Sequence, residues 1–179
     1  MSFLPVQRIS AAHEVSDFDC GSDAQSAWLR RYALQADRVD STRVWVITRK
    51  ADPRIVAYYA LSAGSVEHAS APPRVRKAMP GYPVPVIILT RLGVDRSVQG
   101  LGLGRALVRD MLLRVAGAAE TIGARALLIH CESANAKDFY LHIADFEPSP
   151  TDLLHLYLLL SDLRRHTKDR HAIDGTGSS

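Results

Sequence analysis

The longest apolar run, Val84 to Val94 (VPVIILTRLGV), does not alternate. Continuous apolarity over a strand's length predicts a strand covered on both faces, as inside a mixed or parallel sheet. Beyond it, Leu103, Leu107, Met111, Val115 and Ile122 recur at helical spacing, which predicts a helix with a buried stripe, closed by Gly123. Ala124 to Cys131 (ARALLIHC) is a second buried strand, so strand, helix and strand predict a right-handed parallel crossover. Upstream, Val6–Ser10 reads as a short strand, and Asp23 to about Val39 as one helix capped by Ser22, with Arg30, Arg31 and Arg38 on its wet side. Arg43–Lys50 alternates as a strand and pairs, through the turn Ala51–Arg54, with a strand over Ile55–His68. Ala69–Pro85 is a proline-punctuated basic loop. Ala134–Ile143 is a helix capped by Ser133 or Asn135, Asp145–Pro150 a turn, and Leu153–Leu160 a final strand. Residues 165–179 lose periodicity and are expected to be a disordered tail beyond a single domain over residues 1–164.

Composition changes this picture little. An apolar share of 47%, a charged share of 23% and a net charge of +3 are ordinary for a globular chain, with a slight preference for anionic partners. The two cysteines, Cys20 and Cys131, are too far apart for a metal motif and are expected as reduced thiols of a cytoplasmic protein; no metal is expected. The opening MSFLPVQRIS has no basic segment followed by an apolar run, and no stretch approaches the roughly 20 apolar residues of a membrane span, so neither signal peptide nor membrane association is expected.

Candidate chemistry concentrates between the apolar run and the helix after it. Gln99-Gly100-Leu101-Gly102-Leu103-Gly104-Arg105 packs three glycines into a strand-to-helix turn. Glycine admits positive φ and close ligand approach, consecutive exposed amides form an anion-binding concavity, and the helix adds its positive end. Such a turn suits a pyrophosphate. It is not a Walker loop, because Arg105-Ala106 stands where Lys and Ser or Thr belong.

The order of elements and the pattern Gln99–Gly104, which matches Q/R-x-x-G-x-G/A, resemble the GNAT acyltransferase superfamily. More narrowly, FDCGSDAQSAWLRRYA, LTRLGVDRSVQGLGLGRALVRD and the FY…FEPSP…LHLYLLLSDL ending resemble the GNAT toxins of toxin–antitoxin pairs, which acetylate the α-amino group of aminoacyl-tRNA and stop translation. The resemblance implies an α/β (α+β) fold: a central mixed, mostly antiparallel sheet, splayed at the acyl-CoA strand, with helices on both faces. It implies acetyl-CoA as co-substrate, with Leu92, Gly93 and Val94 beside the pantetheine arm, the pyrophosphate on Gln99 to Gly104, Arg105 nearby, and Asn135 near the arm. It places Tyr140 at the family's general acid. It also implies a ribbon–helix–helix antitoxin and a homodimer. The turn after the Tyr140 helix, which commonly has glycine before phenylalanine, has Asp145 before Phe146; aspartate tolerates left-handed geometry, so a local change is expected.

A tRNA substrate needs phosphate contacts, for which Arg30, Arg31, Arg38, Arg74, Arg76, Lys77, Arg91 and Arg96 are the candidates. The acyl-CoA strand has no carboxylate or histidine, leaving Glu67 and His68 as candidate bases. A lysine acceptor, with a pKa of about 10.4, needs a committed base more than an α-amine near 7.7–8.0 does, so the gap favours an α-amine. The alternatives are acetylation of a small-molecule amine or a protein N-terminus, and a non-catalytic acyl-CoA-binding module.

Overall fold

The computed structural model describes residues 2–174, with side chains through Arg170. Its elements are β1 (Gln7–Arg8), α1 (Asp23–Arg31), α2 (Ala33–Arg38), β2 (Arg43–Thr48), β3 (Ile55–Val66), α3 (Pro73–Arg76), β4 (Val84–Val94), α4 (Leu103–Thr121), β5 (Ala126–His130), α5 (Ala134–Leu141), β6 (Glu147–Pro148), β7 (His155–Leu159) and α6 (Leu160–Asp174). Short 3-10 turns occupy His68–Ser70 and Arg96–Val98. The chain forms two compact units, one of Met1–Ser62 with Leu89–Met111, the other of Ala63–Ile88 with Leu112–Ser179. This is the expected mixed α/β class, with antiparallel pairing throughout the β1-β2-β3 and β5-β7-β6 runs.

In the first unit the strand order is β1-β2-β3-β4. Val44 and Val46 of β2 and Ile55, Tyr58 and Ala60 of β3 form a core with Ile9, Phe18, Leu29 and Ala33. Ser22 caps α1 by accepting the Gln25 amide at 3.3 Å, and Asp23 complements the helix dipole in the first turn. The single helix expected to Val39 is two helices, broken at Tyr32, where φ is −124° and the side chain is exposed. The inward positions are Ser26, Leu29, Ala33 and Asp37. Asp37 is what the apolar pattern hid: its buried carboxylate accepts from Arg8 Nε and a terminal nitrogen, both at 3.0 Å, and from the Val44 amide at 3.0 Å.

In the second unit the order is β3-β4-β5-β7-β6. β5 pairs with β7 from Ala126 against Leu159 to His130 against His155. Alternation puts Ala126 and Leu128 with Tyr157 and Leu159 on one face, under Ala71 and Val75. A polar strap holds the segment between β3 and β4. Arg125 donates from Nε to the Val75 carbonyl at 2.8 Å and from a terminal nitrogen to the Arg74 and Lys77 carbonyls at 3.3 and 3.2 Å. Ser149 Oγ donates to the Ser70 carbonyl at 2.7 Å. Hydrogen bonds from a charged donor contribute about 1.5–3 kcal/mol in total effect when one partner is lost, so Arg125→Met is expected to lower unfolding stability by about that much in urea titration.

Three expectations change here. Ile122 falls just past the end of α4 and is exposed, whereas Leu103, Leu107, Met111 and Val115 are buried as expected. Glu147–Pro148, read as turn, pairs with β7 as β6. Residues 165–174 are helical rather than disordered, because α6 starts on buried Leu160 and Leu163 and holds the ion pairs Arg165–Asp162 and, at 3.6 Å, Lys168–Glu120. The rest of the expected tail, 175–179, lies outside the described residues.

Candidate active site

The glycine turn has the geometry of an anion cradle. Gly100 and Gly102 take φ of +79° and +84°, and a Cβ at either would meet nothing within 4 Å, so the turn is open rather than packed. Among the described residues, none of the amides from Gln99 to Arg105 donates to a backbone carbonyl; the first to do so is Ala106, to Gly102 at 3.1 Å. Unpaired amides, positive φ and the start of the 19-residue α4 coincide. Gln99 does not face a ligand as a side chain. Its Nε2 donates to the Val94 carbonyl at 2.9 Å and the Cys20 carbonyl at 3.1 Å, clamping the turn to the end of β4. Arg105 is exposed in the first turn of α4.

β4 delivers Leu92, Gly93 and Val94 next to this cradle. Gly93 is closely packed: a Cβ there would lie 3.1 Å from the Tyr58 ring and 3.2 Å from Cys20 Sγ, so any larger residue would push on both. The absence of a Cβ lets the turn carrying Cys20 close on the strand.

Tyr140, in the second unit, is set by α5, whose cap is Ser133 Oγ accepting the Ala136 amide at 3.1 Å. Phe139 and Phe146 meet its ring edge-on at 5.1 and 6.2 Å. Burial, with Cys131 and Glu132 nearby adding to it, holds the phenol's pKa well above its ordinary value. A buried phenol that keeps its proton is a donor. Asn135, in the same helix's first turn, is exposed. Asp145 does not adopt a left-handed conformation; among the described residues the non-glycine residues that do are Asp40, Ala51 and Ala78.

His68 has its Nε2 buried without a partner among the described residues, and Glu67 is exposed at the head of the 3-10 turn. A nitrogen sealed from solvent is poorly placed to exchange protons with a substrate. The histidines that the apolar pattern did not single out are His130 and His155, which end β5 and begin β7. Their rings stack at 4.1 Å, and His155 Nε2 lies 3.3 Å from Asp152. Burial, then the neighbouring His155, lowers the His130 pKa, so its imidazole is neutral and able to accept a proton. The signal was there: both buried strands carry a histidine at the same end.

The basic candidates separate. Arg30, Arg31 and Arg38 line one cavity of about 280 Å³, together with Ser10, His13 and Gln35. Arg30 also donates to the Phe18 carbonyl. Arg74 bridges Glu147 and Asp162, each at 2.8 Å, so a phosphate there would compete with two carboxylates. Arg96 lies 3.5 Å from Asp19. Arg91 lies over the Trp28 ring, 5.6 Å from its centroid. Arg76 and Lys77 sit at the end of α3, and the Lys77 carbonyl is held by Arg125. Among the described residues no group could hold a metal ion, and no helix is long and apolar enough to cross a membrane.

A family model, the acetyltransferase (GNAT) family, matches residues 9–146. The chain is similar to the tRNA-acetylating toxin of Mycobacterium tuberculosis (strain ATCC 25618 / H37Rv), 49% identical over 158 residues, which are 88% of this chain and 93% of that protein. It is similar to the probable toxin TacT of Sinorhizobium fredii (strain NBRC 101917 / NGR234), 26% identical over 85% of this chain and 88% of the other. Among solved structures, AtaT complexed with acetyl-methionyl-tRNAfMet has a TM-score of 0.83 at 23% identity, over 93% of this chain and 99% of that one. AtaTR bound with AcCoA has a TM-score of 0.78 at 23% identity, over 93% and 98%. At such identities these two structures speak for the fold.

Proposed function

Because the chain belongs to the acetyltransferase (GNAT) family, we propose that it moves the acetyl group of acetyl-CoA to the α-amino group of an aminoacyl-tRNA, as the toxin of a toxin–antitoxin pair. The observation that carries the reading is the run of unpaired amides from Gln99 to Arg105, which supplies donors for a diphosphate. The 49% identity to a tRNA-acetylating toxin supports the acceptor. The seat of action would be the cytoplasm, where charged tRNA is found.

In this reading the coenzyme's pyrophosphate binds the amides of Gln99, Gly100, Leu101, Gly102, Leu103 and Gly104, with Arg105 adding positive charge. The backbone of Leu92, Gly93 and Val94 takes the pantetheine arm and acyl carbonyl. The amine lone pair attacks the thioester carbon, a C–N bond forms, and the collapsing oxyanion breaks the C–S bond. Tyr140 gives its proton to the departing sulfur, and the ammonium's surplus proton, relayed through solvent, restores the phenol. An α-amine near pKa 7.7–8.0 is already partly free at neutral pH, so no strong base is needed. Arg31, Arg38, Arg76 and Lys77 remain the phosphate contacts, while Arg74 is committed to carboxylates. A ribbon–helix–helix antitoxin and a homodimer complete the proposal.

The test is mass analysis of total charged tRNA after incubation with enzyme and acetyl-CoA. Acetylated aminoacyl esters are the expected product. Thiol release with small amines or peptide N-termini, and none with charged tRNA, would favour the alternative acceptors.

A further inference from the structure

Three flat groups meet in the first unit beside the acyl strand. The Tyr58 and Trp28 rings lie 6.0 Å apart and 13° from parallel, and the Arg91 guanidinium carbon lies over the Trp28 ring, 5.6 Å from its centroid. The inner rung is rigid. Tyr58 is fully buried, its hydroxyl donates to the Gln25 carbonyl at 2.8 Å, and Phe18 meets its ring edge-on at 5.5 Å. The outer rung is open: Arg91 is half-buried, and no carboxylate pairs with it among the described residues. Trp28 and Arg91 are both half-buried, so part of this pair stays accessible to a visitor, and the guanidinium offers it a flat cation.

Position gives this plane a use. Arg91 immediately precedes Leu92, whose Cα is about 3.8 Å away along the strand. Gly93, two residues on and on the same face, packs against Tyr58 and Cys20, so this face of β4 carries α1. An aminoacyl ester places its amine a few bonds from the terminal ribose, so the terminal nucleotide must lie near the acyl carbon. Nucleobases splayed from single strands stack on aromatic rings and on arginine planes. We infer that the Tyr58–Trp28–Arg91 stack seats the terminal base of the charged RNA strand, with Arg91 as the contacting plane. This rests on the proposed tRNA acceptor and adds what orients it: the flat, weakly hydrated cation also offers donors to the adjoining phosphate.

The experiment uses two chemically charged acceptor-stem RNAs, one ending in adenosine and one in an abasic ribose. Stacking of one base corresponds to roughly a 5- to 150-fold effect, so the wild-type kcat/KM is expected to favour the adenosine end by about tenfold or more. In Arg91→Lys, which keeps the charge and loses the plane, and in Arg91→Gln, that preference should fall to near unity, with melting temperature as the check on folding. Equal wild-type rates on both RNAs, or a preference surviving in both variants, overturns the inference. A preference kept by Arg91→Lys alone assigns Arg91 to phosphate and overturns it too. Transfer to neither RNA alongside transfer to free amino-acid esters fells the tRNA reading itself, which equal transfer to both does not.

Discussion

Tyr140→Phe is expected to lower kcat about 10²- to 10⁴-fold, the usual contribution of a positioned proton donor. The ring packs between Phe139 and Phe146, and phenylalanine keeps that packing while deleting one oxygen. Acetyl-CoA affinity, read by calorimetry, should therefore hold, and expression without an antitoxin should cease to arrest growth. Undiminished turnover would remove Tyr140 from the mechanism. Stability carries a second signature. Burial raises the folded phenol's pKa, whereas the unfolded one ionises near the ordinary tyrosine value of about 10. Between those values the unfolded chain has lost a proton that the folded one retains, so stability is complete below about pH 10 and falls above it. The phenylalanine variant should lose less stability on that alkaline limb.

Gly102→Asp is expected to weaken acetyl-CoA binding about 10- to 10,000-fold. Hydrogen bonds to a charged group contribute about 1.5–3 kcal/mol each, and this change threatens one or two. The carboxylate would compete for the amides that await a diphosphate, and φ of +84° disfavours any residue with a Cβ. Nothing crowds the position, so loss of binding would reflect the cradle and not a steric clash. Titration with coenzyme A measures it; wild-type affinity in the variant would mean that the amides of this turn do not hold the diphosphate.

What was legible in the sequence was local. The strand Val84–Val94 has the bounds its apolar run indicated, and Ser22 and Ser133 cap the helices they precede, because each signal lies within a few residues of its effect. The positive φ of Gly100 and Gly102 follows from having no Cβ. What escaped depends on distant partners. Arg74 looked like a free cation, but its carboxylates lie 73 and 88 residues away. The Gln99 side chain has a partner the local pattern could not show, the carbonyl of Cys20, 79 residues upstream. The helix over 165–174 has little apolar periodicity of its own and leans on Glu120. His130 and His155 meet only through strand register.

Both compact units are stitched from separated segments of the chain. During synthesis the first lacks its share of β4 and α4 until residue 111 has left the ribosome. In the second, β5 has β4 on one side but lacks its other neighbour, and β6 lacks its partner, until β7 emerges. A chain cut short before His155 therefore lacks the strand on which β6, the segment following the Tyr140 helix, is paired, and is expected to be inactive.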